Sequence, residues 1–512
     1  MQRDGALTSL WQAGMPDFET QHKSIPSEIF DVLIVGGGMT GIATGLLLQQ
    51  SGKSCMVAEA QTLGFGTSGG TTAHLNTFMD NTYDQVISDF GENNAQLLAE
   101  AARKALDLIA TNIRENQIEC GHTHLPGFVF SQDKDQSEKL EKIYQASKKA
   151  GIDIDYVNEI PVPIPFEKAL VIQNQGQFHP SKYLFGIARA FEAAGGVIVQ
   201  HCRVEDVTEE DILTVKTSMG DIRARHLIYA THIPPGVNLL HFRCAPYRSY
   251  AMSVKLKGDN YPEGLAYDMY DPYHYYRTQE VDGELYLIAG GEDHKTAHNE
   301  NTEHCFTQLE SYIRRFYDVE SIVHRWSSQY FEPADGLPYI GHLPGAAQNV
   351  WVATGFGGNG MTYSHISALL FHEIFVTRES RYADLFNPNR IKPVAGFTSF
   401  VKENADVVVH MIGGYFSHEK LESLAELAHG EARVVKYEGH RIAVYKDDAG
   451  NLHAVNPVCP HAKCSVGWNS AEKSWDCPCH GSRFSFDGEL LTGPARSDLE
   501  KIQLRKLVEE GG

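Results

Sequence analysis

Apolar and polar residues alternate with different periods along this chain, and the periods mark out its elements. Phe30-Asp-Val-Leu-Ile-Val35 is a short apolar run rich in β-branched residues, which predicts a buried strand. Ile42 to Gln50 carries helical spacing, and Cys55-Met-Val-Ala-Glu59 predicts a second strand that ends in an acid. Asn93 to Arg114 and Gln136 to Lys149 repeat their apolar positions at helical spacing, the first with many Ala, Leu and Glu residues. Residues 245–332 differ, being rich in β-branched and aromatic residues such as Tyr247, Tyr250, Tyr267, Tyr270, Tyr273, Tyr275, Tyr276 and Tyr286. They predict antiparallel strands in one sheet. Ile228 to Thr231 and Val350 to Ala353 predict two more strands, the second followed by a helix from about Ser364. Two prolines in Phe386 to Pro393 break any helix and predict a linker, with a connecting helix within 394–412. Beyond it, Arg441-Ile-Ala-Val-Tyr445 and Leu452-His-Ala-Val455 alternate as strands do.

The first strand runs directly into Gly36-Gly-Gly38-Met39-Thr40-Gly41. Strand, glycine turn, helix and an acid at Glu59 form the dinucleotide-binding pattern. Gly36 allows the turn, Gly38 lets the backbone approach a pyrophosphate, and Gly41 permits close helix–strand packing. The helix N-terminus offers N–H groups to phosphates, and Glu59 would accept from a ribose hydroxyl, which disfavours NADP. A glycine-rich turn with no ligand is the plainer reading, and the flanking strand and helix weigh against it. FAD is favoured over NAD by later segments. Gly64 to His74 is rich in small and hydroxyl residues, so Ala60, Thr67, Ser68, Thr71, Thr72 and Ala73 are expected around a flavin and its phosphates. Val204, Ala230 and Thr231 supply a second dinucleotide contact. Gly357, Gly358, Asn359, Gly360, Met361 and Thr362 form a second strand–loop–helix turn that aims N–H groups at the flavin.

A second chemistry lies near the C-terminus. Cys459-Pro-His461 is followed, fifteen residues later, by Cys477-Pro-Cys479-His480. Paired C-x-H and C-x-x-H ligands can hold a [2Fe-2S] cluster, with Cys459 and Cys477 on one iron and His461 and His480 on the other. Neutral imidazoles lower the cluster's negative charge and raise its potential. Their protons should make that potential fall at alkaline pH. A structural zinc site is the plainer alternative, but zinc spacings usually group like ligands.

These loops resemble the cluster loops of Rieske proteins of the cytochrome bc-complex type. The resemblance implies a disulfide between Cys464 and Cys479, and a covering loop at Gly493-Pro494-Ala495. Ser482 is kept, whereas Phe484 stands where high-potential members carry a tyrosine, which implies an intermediate potential. The glycine motifs, with Asp335-Gly-Leu-Pro338, Ile340-Gly341, Gln177-Phe-His-Pro180 and Leu287 to Gly291, resemble the FAD-dependent D-amino-acid-oxidase superfamily, which includes glycine and sarcosine oxidases. The joint resemblance implies an α/β FAD-binding domain of glutathione-reductase-like Rossmann type with an α+β substrate domain, followed by an all-β Rieske domain. It divides the chain into an oxidoreductase part at 1–385, a linker at 386–412 and a Rieske part at 413–512. Within the first part, dinucleotide binding falls to 28–90, 170–240 and 333–380, and the substrate domain to 91–169 and 241–332.

Composition narrows the partners. The 512 residues carry a formal net charge of −21, which argues against nucleic acid and anionic membrane. No apolar stretch is long enough to span a bilayer, and Met1 to Phe18 lacks a secretory signal pattern. Of nine cysteines, four fall in the cluster loops, and the rest are scattered singly, as expected in a reducing cytoplasm. A Cys464–Cys479 bridge would be unusual there. The sequence fixes no oligomeric state.

The substrate is expected to be a small amine or amino acid. An amino acid would need a guanidinium for its carboxylate. Arg277, after Tyr275-Tyr276, comes first and Arg248 second, each weighed against an ordinary structural ion pair. Tyr276 and His74 complete the catalytic set, and His124 is a further residue within reach of flavin or substrate. The expected reaction is oxidation of the substrate by FAD, with electrons passed singly through the cluster to an external acceptor, a protein or a quinone-like molecule; the reverse flow is also open. A redox sensor or carrier without its own substrate is one rival. A Rieske-type oxygenase is the other, and it would need a two-histidine, one-carboxylate triad that the sequence does not display.

Overall fold

A computed structural model of the chain describes residues 1–299, 301–390 and 424–504. Ile29–Val35 lies at the centre of the first sheet, parallel to Cys55–Ala58 on one side and Gly220–Tyr229 on the other. Val197–Val199 extends the sheet beyond Cys55–Ala58, and Val350–Thr354 extends it beyond Gly220–Tyr229, both in parallel. Tyr339–His342 closes that edge antiparallel. Alternation along the central strand sorts two cores. Val32 and Ile34 join the helices Met39–Gln50, Pro180–Ala193 and Gly360–His372 on one face. Phe30, Leu33 and Val35 join the other core, against the antiparallel pair Val204–Thr208 and Leu213–Thr217.

The second sheet is largely antiparallel, as the pattern in 245–332 predicts. Cys244–Leu256 runs between Val319–Pro333 and Glu284–Lys295, followed by Tyr275–Val281, Leu265–Asp268, Thr123–Ser131 and Lys168–Gln177. The short strand His74–Leu75 pairs with Lys168–Gln177 at the far edge. Two elements depart from the expected division. Lys168–Gln177, placed with the dinucleotide-binding part from residue 170 on, belongs to the second sheet because it pairs with Thr123–Ser131. Glu92–Glu115, placed with the substrate part, packs on Gly360–His372 and extends the helical layer of the first sheet.

Leu424 to Leu504 contains only short strands and turns among its described residues, apart from one short helical turn. Ala432–Tyr437, His440–Lys446 and Leu452–Val455 form one antiparallel sheet. Gly467–Asn469, Ser474–Asp476, Arg483–Ser485 and Leu490–Thr492 form another. The expected connecting helix and most of the expected linker lie outside the described residues. The start of that linker is pinned, since Arg390 forks the Asp335 carboxylate at 2.7 and 2.6 Å. Residues 1–18 form a strap that the sequence did not single out, with Trp11 and Phe18 buried.

Candidate active site and metal centre

A cavity of about 330 Å³ opens between the two sheets, at the C-terminal ends of the parallel strands. The glycine turn shapes its floor. Gly36 has φ +111°, and a Cβ there would lie 2.5 Å from the Ala230 carbonyl oxygen. A Cβ on Gly41 would lie 2.0 Å from the Gly36 oxygen, so the helix approaches the strand as closely as only glycine allows. Glu59 accepts from the backbone N–H groups of Gly37 and Gln61, at 2.6 and 2.8 Å. Ser68 Oγ accepts from the N–H of Met39 at 2.9 Å and ties the hydroxyl-rich loop to the turn.

Gly36, Gly38, Met39, Thr40, Glu59, Ala60, Thr67, Ser68, Thr71 and Thr72 all line this cavity, as do Val204, Ala230, Thr231, Gly357, Gly358, Asn359, Gly360 and Met361. Gly41, Ala73 and Thr362 stand behind the wall; Thr362 is spent on a hydrogen bond to the Asn76 carbonyl at 2.9 Å.

The expected catalytic residues are placed differently. His74 lines the cavity, with Nδ1 2.8 Å from the Tyr267 hydroxyl and Nε2 without a partner. Burial, reinforced by the nearby Arg277 charge, holds it well below the usual histidine range, so it is neutral. Tyr276 faces away. Strand alternation sends it into the core beside Tyr317, while Tyr275 turns to the cavity. Arg277 is fully buried off the cavity wall. It stacks over Trp11 at 4.9 Å and donates to the Phe178 carbonyl and the Gln279 side chain at 3.1 and 3.0 Å. Arg248 also lies off the wall, on the other face of its strand, where it meets Asp476 at 3.6 Å and Ser327 at 2.6 Å. His124 is exposed and packs against His122.

Sequence reasoning did not single out Asp80, Asp293, Tyr330 or Ser249, which line the same end with Tyr273 and Tyr275. Tyr330 donates to Asp293 Oδ2 at 2.8 Å. Burial pushes the Asp293 carboxyl up to about 7, against the pull of the Ser249 and Tyr330 hydroxyls and the nearby His274, with the Asp80 charge adding to the rise. Asp80 accepts from the Gly358 N–H at 2.7 Å, and burial raises its pKa too. The available signal was an acid pair, Glu292-Asp293, following the apolar run Leu287 to Gly291.

The second centre is built from two loops. Cys464 and Cys479 are bonded to each other, with Cα atoms 6.5 Å apart. They therefore drop out of the sulfur group that they form with Cys477. Cys459 and Cys477 are buried free thiols sharing a hydrogen bond, which draws Cys459 down to about 7 and drives Cys477 up. The His461 and His480 rings meet edge to face at 4.9 Å. His461 Nε2 bonds the Gly236 carbonyl at 3.0 Å, leaving Nδ1 buried and unpartnered. Neither nitrogen of His480 has a partner. Two free thiols beside two rings with orphaned buried nitrogens fit a cluster's four-ligand set. His241 packs on both rings, at 4.7 and 5.7 Å. Ser482 Oγ accepts from the Ala495 N–H at 3.0 Å, and Phe484 is fully buried.

The two centres adjoin. Gly481, next to His480, has φ +75°, and a Cβ there would lie 2.8 Å from Pro246 and 2.9 Å from the Gln329 side chain. Gln329 Nε2 donates to the Gly481 carbonyl at 2.8 Å, and its own carbonyl accepts from Thr67 on the cavity wall, also at 2.8 Å. Leu491, Thr492 and Gly493 of the cluster domain line the cavity directly.

The FAD dependent oxidoreductase family (DAO) matches residues 31–374, and the Rieske [2Fe-2S] domain family matches residues 419–503. YhfW of Bacillus subtilis (strain 168), described as a Rieske 2Fe-2S iron-sulfur protein, is 34% identical over 93% of this chain and 93% of its own length. Gamma-glutamylputrescine oxidoreductase of Escherichia coli (strain K12) is 24% identical over 70% of this chain and 85% of its own. The crystal structure of glycine oxidase from Geobacillus kaustophilus overlays 71% of this chain and 100% of its own, with a TM-score of 0.61 at 18% identity. The fold is therefore the amino-acid-oxidase-like FAD-binding fold joined to a Rieske domain. This chain belongs to the FAD dependent oxidoreductase family, and with its C-terminal Rieske domain it is an oxidoreductase of two cofactors, FAD and a [2Fe-2S] cluster.

Proposed function

We propose that the chain oxidises an amine or an amino acid and relays the electrons, singly, through its second cofactor to an external acceptor. The observation that carries this reading is one continuous cavity. It runs from Gly36 and Glu59 to Tyr275 and Asp293, and the cluster domain's own Leu491, Thr492 and Gly493 wall it. FAD supplies a two-electron acceptor for a C–H bond, and the cluster supplies a one-electron carrier. The protein's part is to hold and to exclude. Gly38 and the N-terminus of Met39–Gln50 would present backbone N–H groups to phosphates, and Glu59 would face a ribose. Neutral His74, fixed by Tyr267, and the hydroxyls of Tyr273, Tyr275 and Tyr330 orient a small substrate at the other end. The relatives support the substrate class, being named for glycine and for gamma-glutamylputrescine.

The parallel strands around Ile29–Val35 support the glutathione-reductase-like Rossmann arrangement and the three-part division of the chain as part of the same reading. A cytoplasmic location belongs to it too, supported by five buried free thiols at Cys55, Cys120, Cys202, Cys244 and Cys305; in that setting the Cys464–Cys479 bridge persists because both sulfurs are buried. An oxygenase reading has less support. Among the described residues, no two histidines and a carboxylate come together as a metal-binding group. The test is anaerobic mixing of the holoenzyme with a panel of amines and amino acids. Bleaching of the flavin, followed by loss of the oxidised cluster's absorbance in the same cuvette, is expected. A flavin that no member bleaches would sink the reading.

A further inference from the structure

The substrate end of the cavity has an unusual balance of charge. Its wall carries two carboxylates, Asp80 and Asp293, and no lysine or arginine lines the cavity anywhere among the described residues. Arg277 is held behind the wall by Trp11, Phe178 and Gln279, and Arg248 is turned to the opposite face of its strand. The two acids have only hydroxyl and amide partners. Tyr330 donates to Asp293 and leaves its Oδ1 buried with no hydrogen-bond partner, and the Gly358 N–H donates to Asp80. Three phenol rings, Tyr273, Tyr275 and Tyr330, stand around them, with Tyr273 Oη close to the same Gly358.

Asp80 is open to the cavity, whereas Asp293 Oδ1 is shut off from water and from hydrogen-bond partners, and the nearest cation, His274, is already held by Asp268 and Glu292 at 2.8 and 3.3 Å; a carboxylate so placed carries a desolvation cost. A bound cation would offset it. Aromatic faces stabilise an alkylammonium further once water is excluded. A ligand carboxylate would meet the opposite: two like charges and no guanidinium fork. We infer that this end of the cavity is a site for an organic cation, an alkylamine bound as its ammonium ion at Asp293 and carrying no carboxylate beside the reacting carbon. The inference rests on the amine-oxidation reading and narrows it by setting α-amino acids aside.

The test uses the holoenzyme and probes that cannot be oxidised. Tetramethylammonium and acetate are titrated separately while the flavin's visible spectrum is followed. Saturable perturbation by tetramethylammonium alone is expected, weakened about tenfold or more in Asp293→Asn at unchanged flavin and iron content. Tyr330→Phe, which keeps the carboxylate, is expected to weaken it less. Binding of acetate in preference to the cation, or an Asp293→Asn variant that binds the cation as wild type does, overturns the site. Anaerobic bleaching by butylamine and by alanine separates this from the broader reading. If tetramethylammonium binds and neither compound bleaches the flavin, the oxidation reading falls and the cation site stands. If alanine bleaches it, butylamine does not and acetate binds, the oxidation reading stands and the cation site falls.

Discussion

Adjacent residues on the strand Cys244–Leu256 point into two charged groups of opposite character, one buried and one on the cavity wall. Arg248 enters one that is balanced. Three guanidiniums, those of Arg3, Arg248 and Arg483, face three carboxylates, those of Asp4, Glu472 and Asp476. Ser249 enters the other, where Asp80 and Asp293 have no basic partner on the wall. The first group joins the N-terminal strap, the second sheet and the cluster domain. Burial opposes the charge of Arg483, yet Asp476 and Asp4 hold it protonated. Desolvation likewise opposes ionisation of Asp4 and Asp476, and the arginines still keep both below the usual carboxylate range. In the second group no arginine answers burial; the hydrogen bonds and the nearby His274 offset it only in part, and the acids rise. Matched charge marks a permanent joint, and unmatched charge marks a place kept for something that arrives and leaves.

The sharpest way to break this contrast is to remove one member from each group. Arg483→Met leaves three buried carboxylates to two arginines and should cost about 3–5 kcal/mol of stability in urea or thermal unfolding. A loss under about 1 kcal/mol would mean that the joint does not hold the domains together. Asp293→Asn should act with the opposite sign and stabilise the ligand-free protein by roughly 2 kcal/mol at neutral pH. The folded pKa of Asp293 is raised, to about 7, so its carboxyl costs nothing below the unfolded value and progressively more as pH climbs. The variant's advantage should therefore grow between pH ~4 and ~7 and vanish in acid. The lowered Asp4 and Asp476 behave in reverse: their contribution is present above the ordinary carboxylate range and is lost as pH falls through it.

The same raised pKa orders ligand affinity. Tetramethylammonium should bind about tenfold more tightly at pH 8 than at pH 6, as Asp293 ionises with Asp80, His274, Tyr330 and Ser249 around it; a flat profile would place the cation elsewhere. The smallest effect separates two neighbours. Tyr275→Phe removes a hydroxyl 3.1 Å from Ser249 and should weaken cation binding by about 1 kcal/mol. Tyr276→Phe removes a buried hydroxyl with no hydrogen-bond partner and should leave binding unchanged.

What could be read in the sequence follows how locally each feature is made. The expected cluster ligands, Cys459, His461, Cys477 and His480, come from two short loops, so their spacing points to their chemistry. The glycine turn and Glu59 lie within one strand–helix–strand unit, and the turn's close approaches are the expected ones. The substrate end gathers residues from five separated segments, and no local pattern announces Asp80 or Asp293. Tyr276 in place of Tyr275 is an error of phase: a period of two leaves the facing side undecided until the sheet's partners are known. Arg248 and Arg277 read as ligand-binding arginines because an amino acid's carboxylate calls for a guanidinium in the aromatic-rich strand region, but one pairs across domains and the other packs on Trp11. The N-terminal strap has no periodicity, since its order comes from Arg3, Asp4 and Trp11 meeting distant partners.

The Gly236 carbonyl on His461, with His241 lying across both imidazoles, has a consequence for rate. An isolated carrier of this kind must find its reaction partner by diffusion, and dilution or competing molecules slow it. Here the imidazole edge is already docked on the same polypeptide, so the local concentration of the first partner is fixed by covalent connection. Traffic between the two prosthetic groups should then follow first-order kinetics, indifferent to how much enzyme is in the tube.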